Sequence, residues 1–104
     1  VATNYQRGRA FEYRARDALL KQGAVYVMRA AQSKGKADLI ALWPWLGLPM
    51  EERCWVIQCK RDGRLPRDER EALLDICEET GFPAFLAKAG PKGRGVEFTR
   101  IERK

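Results

Sequence analysis

A chain of 104 residues with 45% hydrophobic content has room for one domain, taken as 1–104, with a modest core. Its apolar runs are too short for a membrane span, and the lack of histidine excludes His-based triads and His-ligated zinc. A net charge of +6 and a pI near 9.6 suit a polyanionic partner, nucleic acid first, with a merely solvated surface as the bland alternative.

The N-terminal stretch Val1 to Gly8 is polar and basic and carries no signal-peptide pattern. Cys54, Cys59 and Cys77 lack paired metal-ligand spacing and read as reduced, small apolar residues. The expected setting is therefore cytoplasmic. The first element predicted is a helix over Asn4 to Gln22, stopped by Gly23. Phe11, Ala15, Ala18 and Leu19 form its apolar stripe, with Gly8 and Glu12 at the border. Gly8 weakens a helix interior, which suggests close approach of backbone or ligand there. On its own, Glu12 reads as a half-exposed partner of Arg16 one turn on.

Ala24 to Ala31 reads as an apolar strand with Arg29 in its last part. Gln32 to Lys36 is a basic hairpin loop whose Ser33, Lys34 and Lys36 suit phosphate contact, although lysines decorate most hairpin tips. A second strand opens at Ala37-Asp38 and runs to Leu42. The apolar segment Trp43 to Met50 then holds two prolines and a glycine, which prevent regular structure. Such a small domain has little core left for two tryptophans, so the segment reads as a subunit contact, with base stacking as a lesser possibility.

Cys54 to Lys60 is the next strand, followed by the basic turn Arg61-Asp62-Gly63-Arg64. Arg67 to Thr80 is predicted as a helix behind Pro66, burying Leu73, Ile76 and Cys77 and ending at Gly81. Ala84 to Ala89 and Val96 to Ile101 are the closing strands. The glycine-rich turn between them precedes no helix, so a nucleotide cofactor is not expected. The order is α-β-β-β-α-β-β. It describes a single α/β domain with a central mixed five-stranded sheet flanked by helices.

The chemistry concentrates between Ala37 and Lys60. Alternation along a strand sends Gln58 and Lys60 to one face, roughly 6–7 Å apart. If the two strands pair, Asp38 joins them there. An acid, an amide oxygen and a lysine at a sheet rim could hold a divalent metal and ionise a water. Taken singly, Asp38 could cap a turn, Gln58 could satisfy a strand edge, and Lys60 could guard that edge against aggregation.

Arg7-Gly8, Phe11-Glu12, Arg29, Ser33, Asp38-Leu39-Ile40-Ala41 and Gln58-Cys59-Lys60 together resemble the PD-(D/E)XK nuclease superfamily. Within it, the chain looks most like the small archaeal-type Holliday junction resolvases, and the resemblance covers nearly its whole length. It implies a restriction-endonuclease-like fold and a homodimer that cuts four-way junction DNA with Mg²⁺ or Mn²⁺. It also implies roles. Asp38 would be the central metal ligand, joined by Glu12, Gln58 and the Cys59 backbone carbonyl, with Lys60 stabilising the hydroxide or the charge on phosphate. Arg29 and Ser33 would position DNA, with Arg7, Lys34, Lys36, Arg61 and Arg64 as further basic contacts. Position 58 is usually acidic in this superfamily, and an amide there removes one negative charge from the site. A restriction-like or flap-type nuclease, and an inactive DNA-binding module, are the competing readings.

Overall fold

The computed structural model describes residues 4–30 and 37–103, with side chains from Gln6 onward. Helix α1 spans Asn4–Gln22, followed by strands β1 (Tyr26–Arg29) and β2 (Leu39–Leu42). A short helix α2 (Met50–Arg53) leads into β3 (Cys54–Cys59), then α3 (Arg67–Thr80), β4 (Ala84–Ala89) and β5 (Val96–Ile101). The five strands form one mixed sheet in the order β1-β2-β3-β4-β5. Its pairs are antiparallel except β3 with β4, which are parallel and joined by α3 as a crossover. The expected architecture is the observed one, with α2 and a 3₁₀ turn at Pro91–Gly93 added.

The two long helices lie on opposite faces of the sheet. Phe11, Ala15 and Leu19 recur at four-residue spacing on α1 and are buried against Val27, Leu39, Ala41 and Ile57. Ala18 is only half-buried. On the other face Leu73, Leu74 and Cys77 of α3 pack on Val56, Ala84 and Ile101. Leu74 is buried where the sequence pointed to Ile76, which stays half-buried. Gly81 closes α3 in the left-handed region at φ 80°, donating its N–H to the Cys77 carbonyl at 2.8 Å.

Strand β1 is shorter than the expected 24–31. Ala24 still belongs to the exit of α1, its N–H donating to the Leu19 carbonyl at 3.0 Å. Arg14 of α1 donates to the carbonyls of Gly93 and Gly95, at 2.9 and 3.1 Å, and ties the helix to the β4–β5 turn. That turn needs a glycine at 90, where an added Cβ would lie 2.2 Å from the Arg94 carbonyl oxygen.

The Trp43–Met50 segment divides. Trp43 is half-buried with its ring centroid 4.6 Å from that of Trp55, which in turn stacks on Phe85 at 3.9 Å. The domain therefore absorbs one of the two tryptophans, because an aromatic row along β3 and β4 extends the core to the sheet end. Trp45, at 70% exposure, and Leu46, at 78%, project into solvent. Helix α3 covers β3 and β4 and leaves the β1–β2 part of its face open. Tyr26, Met28 and Leu42 are exposed there. Among the described residues, no helix is long and apolar enough to cross a membrane.

Candidate active site

Strand pairing builds the site. Leu39 faces Ile57 across the β2–β3 ladder, so Asp38, one residue earlier, falls opposite Gln58. The Asp38 N–H donates to the Ile57 carbonyl at 2.8 Å, and its own carbonyl accepts from Ala30 at 2.9 Å. Its side chain is clamped as well, with Oδ2 accepting the Cys59 N–H at 2.8 Å. Gln58 and then Lys60, just past the end of β3, follow on the same face by alternation. Asp38, Gln58 and Lys60 converge as the spacing predicts.

These residues line an open cleft of about 940 Å³ at the rim of the sheet. Glu12 and Gly8 of α1 line it too, as do Arg7, Cys59 and Arg61. Glu12 is held by Arg29 and not by Arg16: Arg29 Nε donates to its Oε1 at 3.1 Å, while Arg16 turns to Asp17. The Arg29 guanidinium also lies over the Tyr13 ring, 5.1 Å from its centroid. Arg29 is thus engaged behind Glu12 and does not line the cleft. A Cβ at Gly8 would meet nothing within 4 Å, so no tight backbone packing requires the glycine. Its bare surface is cleft wall. Arg64 is exposed outside the lining, and Ser33, Lys34 and Lys36 lie outside the described residues.

Two carboxylates of the cleft escaped the sequence reading. Asp62 lines the cleft and caps its own turn, with Oδ1 accepting the Arg64 N–H at 3.0 Å. Glu69, from the first turn of α3, reaches in from above the sheet. Its Oε1 accepts from Lys60 Nζ at 2.9 Å and from Gln58 Nε2 at 3.5 Å. A signal for it exists in the topology. A crossover helix after a parallel strand starts near that strand's C-terminal end, so its first-turn side chains hang over the rim.

The electrostatics follow from crowding. Burial raises the Asp38 carboxyl above its ordinary value, and the nearby Glu12 and Glu69 charges push the same way. The Cys59 N–H and the Lys60 charge oppose them. Burial also raises the Cys59 thiol far above its usual range, assisted by Asp38 and Glu12, which suits an inert packing cysteine. Gln58 is 3% exposed, and its Oε1 is buried without a hydrogen-bond partner.

That orphaned oxygen bears on metal binding. Among the described residues, no three Asp, Glu, His or Cys side chains approach closely enough to form a metal-binding group. Mg²⁺ asks for less, since one or two carboxylates suffice when water and phosphate complete its shell. Asp38, Glu12 and Gln58 line one cleft and carry hard oxygen atoms, the buried Gln58 Oε1 being without a hydrogen-bond partner. The residues fit such an ion.

No family model matches the sequence, and no curated protein matches it either. Among solved structures, the chain is similar to Archaeoglobus fulgidus Hjc, a Holliday junction resolvase from an archaeal hyperthermophile. The TM-score is 0.66 at 24% sequence identity, over 94% of this chain and 78% of that one. The two chains share a fold. It is the restriction-endonuclease-like arrangement, a central mixed five-stranded sheet flanked by helices.

Proposed function

We propose that this chain is a divalent-metal-dependent endonuclease that resolves four-way DNA junctions as a homodimer. The observation that carries the reading is the meeting of Asp38, Gln58 and Lys60, with Glu12 from α1, in one cleft at the rim of the sheet. The shared fold with a resolvase adds to it. The buried, unpartnered Gln58 amide oxygen and the desolvated, hydrogen-bonded Asp38 carboxylate are compatible with it.

In this reading, Asp38, Glu12 and Gln58 Oε1 would hold Mg²⁺ or Mn²⁺, with the Cys59 backbone carbonyl as a further oxygen. Bound there, the ion would supply an acidified water and would polarise the scissile phosphate. The chain's own residues do the rest. Asp38 is kept in place by the Cys59 N–H, and Glu12 by the Arg29 guanidinium. Lys60, on the same face as Gln58, presents its ammonium to the charge that develops on the phosphate. Arg7 and Arg61 on the cleft wall neutralise the incoming backbone, and Arg64, Lys34 and Lys36 are further basic contacts to phosphate.

Paired incision needs two sites related by a two-fold axis, which a closed homodimer provides. The exposed apolar residues on the open β1–β2 face and the Trp45–Met50 segment are the surface for it. The test is cleavage in Mg²⁺ of a four-way junction compared with linear duplex, flap and single strand. Symmetric cuts in the junction alone support the reading. Preferred cutting of flap or of one linear sequence points to the restriction-like or flap-type alternative, and tight binding without cutting points to an inactive module.

A further inference from the structure

We propose that Glu69 is a positioning residue of this site, a carboxylate delivered from α3 that orients both the Gln58 amide and the Lys60 ammonium. The proposal rests on the reading of Gln58 as a metal ligand and deepens it. An ionised carboxylate only accepts hydrogen bonds, so an amide beside it must turn its NH₂ toward it. Gln58 does so, with Nε2 3.5 Å from Glu69 Oε1. The other end of the amide is thereby committed. Oε1 points away from Glu69 and is the buried oxygen that has no partner.

The same Glu69 oxygen accepts from Lys60 Nζ at 2.9 Å. A lysine has four rotatable side-chain bonds and loses considerable entropy when fixed, so a single anchor decides where its charge sits. One carboxylate thus sets two groups of the cleft. It also restores, from a helix, the negative charge that an amide at position 58 withholds from the strand. The bland explanation is that Glu69 merely stabilises α3, since acidic residues in a first turn complement the helix dipole. Asp68 stands in that same first turn, is exposed and does not line the cleft. It is the natural control.

The test compares the wild type with Glu69→Gln, Asp68→Asn and the double variant Gln58→Glu/Glu69→Gln. Mn²⁺ affinity is measured by calorimetry without DNA, thermal stability by circular dichroism, and kcat and KM on a four-way junction. Glu69→Gln is expected to weaken Mn²⁺ binding by about tenfold and to lower kcat by a similar factor, with KM little changed. Asp68→Asn should leave metal affinity and kcat alone, whereas Glu69→Gln should also lose some thermal stability because Lys60 loses its partner. Gln58→Glu should restore most of the metal affinity lost in Glu69→Gln. Wild-type Mn²⁺ affinity and kcat in Glu69→Gln would overturn the positioning role and leave the nuclease reading standing. No Mn²⁺ binding by the wild type would overturn both.

Discussion

The carboxylate of Asp38 and the backbone N–H of Cys59 are joined at 2.8 Å across the β2–β3 ladder, which fixes the acid where burial and two other carboxylates oppose its charge. Its folded-state pKa is raised above the unfolded value near 3.8. At neutral pH the folded protein therefore carries a costly charge, and that cost is relieved as pH falls through the raised value. Below the unfolded pKa the contribution vanishes. Asp38→Asn keeps an oxygen to accept the Cys59 N–H and removes the charge. Its Tm at pH 7 and low Mg²⁺ should exceed wild type, and the gap should close once the pH is below the unfolded value. Adding Mg²⁺ should raise the wild-type Tm and leave that of the variant unmoved. A lower Tm for Asp38→Asn at pH 7 would contradict this account of the acid.

Glu12 and Arg29 join α1 to the end of β1 in a pair that is three-quarters shielded from solvent. Removing either partner leaves the other half-buried and uncompensated. Arg29→Met and Glu12→Gln should each cost about 1 kcal/mol. A double-mutant cycle should return a coupling of about 0.5–1.5 kcal/mol in urea unfolding. Cleavage should fall in Arg29→Met as well, because Glu12 loses its anchor. Strict additivity in the cycle would show that the pair does not hold the helix.

Tyr26, Met28 and Leu42 are 55%, 41% and 38% exposed, an apolar face on a strand pair that α3 does not reach. As the proposed two-fold contact, it should give a dimer by sedimentation at micromolar concentration. Met28→Glu would bury like charge at the contact and should shift the equilibrium to monomer while preserving the far-UV spectrum. A wild-type monomer that still cuts junctions in pairs would remove this surface from consideration.

The mixed sheet and the meeting of Asp38, Gln58 and Lys60 in the candidate site were legible because strand alternation is local. Asp38, Gln58 and Lys60 are placed by period-two geometry and by pairing between neighbouring strands. What stayed hidden depends on how distant elements pack. Glu12 has a plausible partner four residues on, yet β1 lies beside α1 and presents Arg29 instead. Glu69 sits in the acidic first turn of α3, where nothing local separates a dipole-complementing acid from one hanging over the cleft. Trp43 reads as surface until Trp55 and Phe85 are stacked beneath it. Ile76 and Leu74 differ in burial by a small rotation of α3, which an apolar stripe does not specify.

Phosphate neutralisation should dominate binding, so junction affinity should fall steeply with salt. Several Lys and Arg contacts predict a slope of about −0.9 per contact in log K against log salt. Arg61→Ala should weaken binding on all junction sequences alike and reduce that slope by about one. An affinity insensitive to salt would mean that base edges, not backbone, are being read.

In the proposed function, the Asp38–Lys60 cleft performs phosphodiester hydrolysis. The most direct measurement is single-turnover cleavage of a four-way junction in Mg²⁺ by the wild type, Asp38→Asn and Lys60→Ala, with junction affinity measured in parallel in Ca²⁺. Each variant should lose cleavage by at least about a thousandfold, with affinity within a few-fold of wild type. Cleavage by Lys60→Ala at the wild-type rate would contradict it.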